Sequence, residues 1–485
     1  MRVAFLQKYP FAYFGIMSLS ASLPPAHPRQ VFIGDLEDEV AGEVERYGPD
    51  ILAVPIMTLE YRWVRATVEE IRKRLPNLRV VAGYIHPTSS PGMLAEEFVD
   101  AICLGEGDFS FPRYVENLEQ GREREPIPGF RIKSPEGIIE SPEPNLVPDL
   151  DALPDEDRGL YYRKYPSLAS EQLKHFMASR GCPFSCGFCC HQVYRRIYRG
   201  RTPYVRRKSP EKVIREILRV KQEYGFSSIC FLDDVFVMDV SWLEEFAVAY
   251  RSRVGVPYFC AVTPPNMNDR IARLLAESGC HTVNFGVETA NEKKRFEILN
   301  KRVTDAQMRE CARLVKKYGM QLQTTALFGL PGETVEEAFA NITFNQELGA
   351  DYMGSNLLLP FPNTAIEKIA LEMGVLDPNY LENQDYLGIH LKSVFRFKDI
   401  EVIERVQKIS HLALKFPRLL PFFRWLVKIP SPRLFFGIYV LSSMWRYKSE
   451  KPISWLEVIR VFWRARRNYL RYARGSPGKE GRKRD

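Results

Sequence analysis

The sequence predicts a multidomain α/β protein: one parallel sheet domain, then a partial (β/α)6 barrel, then a mainly α-helical C-terminal region. Three observations carry this. Short apolar strands alternate with helix-length segments over residues 1 to about 120, and again from His175 to about Leu376. Such alternation marks parallel sheets with helical crossovers. A proline-rich acidic stretch separates the two runs, and beyond residue 380 aromatic and basic residues interleave without a strand period. At 485 residues the chain is long for one domain, and a hydrophobic fraction of 45% supplies several cores. The boundaries read as 1–125, a linker at 126–170, a core domain at 171–380, a basic-aromatic helical region at 381–474 and a disordered tail at 475–485.

In the first run, Met1–Leu6 is a buried-strand pattern, followed by strands at Val31–Ile33, Ile51–Pro55, Val80–Ala82 and Ala101–Leu104. Helices are expected at Gly15–Leu23, before Tyr47-Gly48, and at Tyr61–Leu75. Sheets of this kind bind ligands at the carboxyl ends of their strands. The candidate loops are therefore Gln7–Phe14, Met57-Thr58, Gly83–Ser90 and Gly105–Asp108. The plainer alternative is a sheet domain with no ligand. A G-x-G-x-x-G run is absent, which weakens a dinucleotide reading. Pro126–Pro154 reads as an extended connector with a short hairpin at Gly129–Ile139.

In the second run, strands are expected at His175–Ser179, Ser228–Leu232, Tyr258–Val262, Thr282–Gly286, Leu322–Phe328 and Tyr352–Leu359. Helices are expected at Pro210–Tyr224, Ser241–Arg253, Asp269–Ser278, Asp305–Tyr318 and Thr334–Leu348, with Ser209-Pro210 and Thr304 as start signals. Six units make three-quarters of a (β/α)8 barrel, a fold whose chemistry sits at the strand carboxyl ends. The first strand delivers Arg180-Gly181-Cys182-Pro183-Phe184-Ser185-Cys186-Gly187-Phe188-Cys189, three cysteines at C-x3-C-x2-C spacing. Three close thiolates can hold a [4Fe–4S] cluster and leave one iron without a protein ligand. Two plainer readings stand beside it: three buried thiols, or a zinc site completed by His191.

The cysteine run, with an aromatic before its third Cys, resembles the signature of the radical S-adenosylmethionine (SAM) superfamily. The resemblance implies that Cys182, Cys186 and Cys189 hold the cluster while SAM chelates the fourth iron. Four later strand ends resemble that family's SAM contacts. Asp233-Asp234 stand where the family usually has Gly-Gly-Glu, and a carboxylate facing the methionyl ammonium is the physical requirement. Glu288, in Gly286–Thr289, implies a contact to the ribose hydroxyls. Gly329, in Phe328–Thr334, implies close backbone approach to the nucleoside, and Pro360, in Leu358–Thr364, a backbone pairing with adenine. Taken singly each is weak: Gly-Leu-Pro-Gly-Glu-Thr is more often a plain turn.

The first domain looks like the Rossmann-like cobalamin-binding domain found ahead of many radical SAM domains of TIM-like, partial-barrel type. Thr58, Gly83, His86, Thr88, Gly105 and Glu106 carry that resemblance as expected cobalamin contacts. The family's D-x-H-x-x-G motif is missing, so a histidine ligand to cobalt is not implied. Together the motifs imply a cobalamin-dependent radical SAM enzyme. Reductive SAM cleavage would give a 5′-deoxyadenosyl radical, with methylation of an unactivated carbon as the leading outcome. Ring formation or oxidative rearrangement is the alternative within the class, and a non-catalytic Fe–S/B12 redox or sensory protein the alternative outside it. No residue is assigned as the substrate's acid or base. An electron donor such as flavodoxin or ferredoxin is expected.

The net charge of +8 conceals an asymmetry. Residues 391–485 hold 23 Lys/Arg against 7 Asp/Glu, while 1–390 hold 45 against 53. The tail also carries sixteen aromatics. Its longest uncharged run, Leu434–Trp445, is shorter than the roughly 20 residues a bilayer span needs. The expectation is peripheral contact with an anionic membrane or a helical cap over a hydrophobic, lipid-like substrate. Nucleic acid is not expected, because the Leu/Phe/Trp density exceeds what strand binding requires. The polar turn at Gln7-Lys8 argues against a secretory leader. Nine cysteines with three clustered suit a reducing cytoplasm, so the expected location is cytoplasmic, on the inner face of the membrane if the tail docks.

Overall fold

A computed structural model describes residues 1–485 except 142, 143, 145, 202, 382–391, 451–454, 457 and 460–485. The expected disordered end at 475–485 and most of 451–474 thus lie outside the described residues. Seven strands form the first sheet: β1 (Val3–Gln7), β2 (Arg29–Ile33), β3 (Ile51–Pro55), β4 (Arg79–Gly83), β5 (Ala101–Cys103), β6 (Phe130–Ser134) and β7 (Gly137–Glu140). Their order is β2-β1-β3-β4-β5-β6-β7, parallel through β5 and antiparallel from β5 to β7. Every residue of β1 is buried, because helices cover both faces. Val3 and Phe5 pack one way with Ile16, Met17 and Phe111. Ala4 and Leu6 pack the other way with Val64, Val68 and Ile71. The alternation is the two-residue period of a strand.

The stretch expected as a linker, 126–170, is built into this domain instead. The hairpin signal is real, but its two strands extend the sheet past β5. Helices Gly159–Tyr162 and Pro166–Ala169 then bury Tyr161, Tyr165 and Leu168 against the β1/β2 face. Tyr161 donates to the Gln7 side chain at the end of β1. Local composition marked the prolines; the partners of the hairpin and the tyrosines are far away in sequence.

The second sheet contains β8 (Leu173–Phe176), β11 (Ser228–Phe231), β12 (Tyr258–Ala261), β13 (Cys280–Glu288), β14 (Gln321–Phe328) and β15 (Tyr352–Leu357), all parallel in the order β15-β14-β13-β12-β11-β8. It is the six-stranded partial barrel that the six strand–helix units predict. Helices Pro210–Tyr224, Val240–Arg253, Asp269–Glu277, Asp305–Lys317 and Val335–Glu347 lie between strands. Ser209, Asp239, Asn268, Thr304 and Thr334 cap their starts by accepting backbone N–H bonds. The expected first strand, His175–Ser179, stops early. Ser179–Arg180 leave the sheet as β9 and pair antiparallel with β10 (Arg206–Arg207).

The two domains share a buried ionic network. Lys208 Nζ reaches Glu156 (2.7 Å) and Glu216 (3.0 Å), and Arg158 reaches Glu216 at 3.0 Å, with all four side chains nearly inaccessible. Beyond the barrel, helix Ile400–Lys415 packs Ile403, Val406 and Ile409 on Met353 and Leu357 of edge strand β15. Gln407 Nε2 donates to the Ser355 carbonyl (2.9 Å), satisfying a group of the open edge. Helices Leu420–Leu426 and Pro432–Glu450 complete this layer. Among the described residues no helix is long and apolar enough to cross a membrane.

Candidate cofactor sites at the domain seam

The cysteine loop owes its path to Asp233. At the end of β8, Leu232 N–H donates to the Phe176 carbonyl (2.8 Å), continuing the ladder by one step. The Asp233 carboxylate then replaces the ladder, accepting from Ala178 N–H (3.0 Å) and from the Ser179 hydroxyl. Burial raises its pKa, and those two donors oppose the rise. The contact to a SAM ammonium expected of Asp233 is therefore not how this side chain is placed: it braces the loop from beneath. Gly181 has φ +91°, and a Cβ there would lie 2.4 Å from the Tyr204 carbonyl, so glycine is required.

Beyond Gly181 the loop is held from several sides. Gly187 N–H donates to the Leu299 carbonyl (2.6 Å), and its carbonyl accepts from Ile366 N–H (3.0 Å). Asn300 Nδ2 donates to the Ser185 carbonyl (2.8 Å), and Arg195 to that of Cys182 (3.3 Å). Cys182, Cys186 and Cys189 are all partly accessible free thiols. Cys182 is pushed up to about 12 and Cys186 to about 11, chiefly by burial, with neighbouring thiols contributing to the rise. Cys189 is raised by a hydrogen bond with Cys190 and by burial. Among the described residues no three His, Cys, Asp or Glu converge on one ion. His191, the candidate fourth zinc ligand, is engaged elsewhere: Nε2 with Asp234 (2.8 Å) and Nδ1 with the Tyr204 hydroxyl (2.7 Å). A cubane makes a different demand, since each thiolate takes its own iron corner.

The other expected SAM contacts ring the same strand ends. Asp234 is half exposed beside the loop. Glu288 closes β13 with φ +64° and pairs with Lys301 Nζ at 2.8 Å, which also draws the Cys186 thiol down. Gly329 follows β14 with φ +76°. Its N–H (2.5 Å) and that of Leu330 (3.2 Å) donate to Glu333 Oε2, while Oε1 is buried with no hydrogen-bond partner among the described residues. Burial raises Glu333 to about 8. The Pro360 carbonyl accepts from the Tyr380 hydroxyl (3.2 Å).

On the first domain, the loops after β3, β4 and β5 meet one another. His86 Nδ1 lies 3.3 Å from Thr58 Oγ1, its ring 4.8 Å from that of Tyr61, and burial lowers it to about 4. Gly83 ends β4 and accepts from Ile56 N–H (2.9 Å). Thr88 Oγ1 accepts from Gly105 N–H (3.1 Å). Tyr84 stands out from the strand end with φ +78° and 45% exposure. These loops face the cysteine side of the barrel, for Asn363 Nδ2 donates to the Ser89 carbonyl (2.6 Å). The Glu106 carboxylate, expected at cobalamin, turns the other way and is engaged by Arg206.

Known protein families match both halves of this arrangement. The radical SAM superfamily pattern matches residues 177–342, and that of the B12 binding domain residues 9–115. The chain carries a B12-binding domain and a radical SAM domain. It is 28% identical to an uncharacterized methyltransferase of Pyrococcus horikoshii, over 75% of this chain and 79% of that protein. It is 26% identical to the anaerobic magnesium-protoporphyrin IX monomethyl ester cyclase of Rubrivivax gelatinosus, over 67% and 59%. It is 25% identical to the hopanoid C-3 methylase of Methylococcus capsulatus, over 57% and 53%. In fold it resembles the radical SAM methyltransferase TsrM of Kitasatospora setae, whose structure holds cobalamin and a [4Fe–4S] cluster (TM-score 0.63, 19% identity, 76% of this chain and 74% of that one).

The two domains imply cobalamin, a [4Fe–4S] cluster and SAM. The residues present suit them: three thiols on a clamped loop, and a sheet whose strand-end loops open toward it. Several residues of the radical SAM domain escaped the motif reading. Lys301 acts through a tertiary partner that no local pattern announces, and Glu333 through the amides of its own turn. Arg180, directly before Gly181, had a visible signal in its place at the head of the cysteine loop.

Proposed function

We propose that this chain is a cobalamin-dependent radical SAM methyltransferase that modifies an unactivated carbon of a hydrophobic, lipid-like substrate. One observation carries the reading: the C-x3-C-x2-C loop and the cobalamin-side loops face each other across a short seam bridged by Asn363 and Ser89. When bound, the cluster with SAM supplies a hydrogen-abstracting radical and cobalamin a transferable methyl group; the protein orients them and excludes water. Cys182, Cys186 and Cys189 hold the cluster, each releasing a proton as it ligates. Asp234, Glu288, Gly329 and Pro360 are the proposed SAM contacts, and Thr58, Gly83, His86, Thr88 and Gly105 the proposed cobalamin contacts. His86, buried and held neutral by burial, would pack near the cobalamin without serving as a cobalt ligand. A flavodoxin- or ferredoxin-type donor supplies the electron.

The lipid-like substrate is supported by the C-terminal layer. Phe416, Leu419, Phe422 and Trp425 are each at least 42% exposed, and Lys415, Arg418, Arg424 and Lys428 stand among them. An apolar ridge edged by cations fits an anionic bilayer surface on the cytoplasmic side, each cation adding about 1 kcal/mol. Vesicle binding is expected to rise with anionic lipid and to fall with salt. Indifference to anionic vesicles sinks the docking surface.

The reaction is tested on anaerobically reduced protein carrying iron, sulfide and cobalamin, given SAM. S-adenosylhomocysteine and 5′-deoxyadenosine together support methylation. The likeness to a cyclase favours ring formation as the second reading, which predicts 5′-deoxyadenosine without S-adenosylhomocysteine. Neither product means a non-catalytic Fe–S/B12 protein.

A further inference from the structure

The Gly105-Glu106-Gly107-Asp108 turn meets the barrel through both of its carboxylates. Glu106 Oε1 and Oε2 accept from Arg206 Nη2 (2.7 Å) and Nη1 (2.8 Å), and Oε2 also accepts from Val147 N–H (2.8 Å). Asp108 Oδ2 and Oδ1 accept from Arg180 Nη1 (2.7 Å) and Nη2 (3.1 Å), and Arg180 Nη2 donates to the Ser18 hydroxyl (3.0 Å). Both are two-pronged guanidinium–carboxylate pairs, the geometry that fixes direction as well as distance. Arg206 and Asp108 are buried. Burial raises the Asp108 carboxyl, and Arg180, the Ser18 hydroxyl and a backbone N–H together more than reverse that rise.

The two arginines are neighbours. Arg206 sits opposite Arg180 in the β9–β10 ladder, and Arg180 lies two residues before Cys182. The turn also touches Tyr198, at the end of helix His191–Ile197, which follows the cysteine loop. Glu106 N–H donates to the Tyr198 hydroxyl (2.6 Å), and a Cβ on Gly105 would lie 1.9 Å from that oxygen. Gly105 N–H reaches Thr88 in the opposite direction. One turn therefore joins a cobalamin-side loop to the head of the cysteine loop and to the end of the helix, His191–Ile197, that follows it.

We propose that Glu106 and Asp108 are positioning residues that set the spacing between the corrin and the cluster, acting through Arg206 and Arg180, and that neither touches cobalamin. The inference rests on the two-cofactor reading above. Transfer between separately bound groups demands such control, because a displacement of about 1 Å can cost roughly a hundredfold in rate. Hydrogen bonds from neutral replacements keep neither the charge nor the paired geometry.

The test uses the full chain with Asp108→Asn, Glu106→Gln and Arg180→Lys, reconstituted with hydroxocobalamin, iron and sulfide. Hydrogen exchange of segments 105–110 and 177–182 is read first, on cofactor-free protein. Exchange at least tenfold faster in both segments is expected for each variant, with corrin and iron contents within twofold of the parent. Paramagnetic resonance of the cob(II)alamin form beside the reduced cluster is then expected to show altered broadening, which reports their separation. Loss of corrin in Glu106→Gln with exchange unchanged overturns the proposal and makes Glu106 a direct contact. Unchanged exchange and unchanged spectra also overturn it. If Asp108→Asn does not fold, Arg180→Lys decides, since it keeps the charge and removes only the fork. A parent chain that takes up no corrin defeats the two-cofactor reading, while the exchange result still judges the latch.

Discussion

Glu333 closes the Gly-Leu-Pro-Gly-Glu turn with one carboxylate oxygen on two backbone amides and the other buried with no partner among the described residues. Burial is the main cause of its rise from an ordinary 4.5 to about 8; the Gly329 and Leu330 amides and Lys294 pull down, and Glu337 pushes up. A carboxyl raised on folding stabilises fully below its unfolded value and loses that contribution as pH climbs through the folded one. At about 1.4 kcal/mol per pH unit, the loss between pH 4.5 and 8 is about 5 kcal/mol. Glu333→Gln keeps an oxygen for the two amides and cannot ionise. Urea unfolding of both proteins in reductant, from pH 5 to 9, reads the difference. Relative to the parent, the variant is expected to gain about 4 kcal/mol between pH 5 and 8 and then level off. Parallel pH profiles would refute the assignment of a buried, reluctantly ionised Glu333.

Further expectations concern the cofactors and the frame. Anaerobic reconstitution should give about four irons per chain, lost in Cys182→Ala, Cys186→Ala and Cys189→Ala and kept in Cys190→Ala; equal damage from Cys190→Ala changes the ligand set. The cob(II)alamin spectrum of the holo-protein should show no nitrogen hyperfine pattern that disappears in His86→Ala. Lys208→Met leaves Glu156 and Glu216 buried together without their shared cation, and should cost about 3–5 kcal/mol in denaturant unfolding; a cost below about 1 kcal/mol removes that network from the account of the seam.

Much of this was legible locally. Strands such as β1 and β3 read directly because burial on both faces leaves an unbroken apolar run, and capped helix starts fell within a residue of Ser209 and Thr304. The three cysteines announce themselves by spacing alone. What was not legible depends on partners far away. Asp233 reads as a ligand in a row of two aspartates, yet it accepts from Ala178, 55 residues earlier. Glu106 lies in a loop that resembles a cofactor contact, but its partner Arg206 is 100 residues on. The 130–140 hairpin was visible, while its membership of the first sheet depended on pairing with β5.

The clamp on the cysteine loop has an order in time. Its anchors at Leu299, Asn300 and Ile366 are translated well after Cys189. At roughly 5–20 residues per second, about 10–40 s of synthesis separate the last thiol from the last anchor. Through that interval three thiols meet metal and oxidant without the frame that spaces them. The frame that spaces the three thiols is thus complete only once residue 366 has been made, and until then the loop depends on its surroundings for protection.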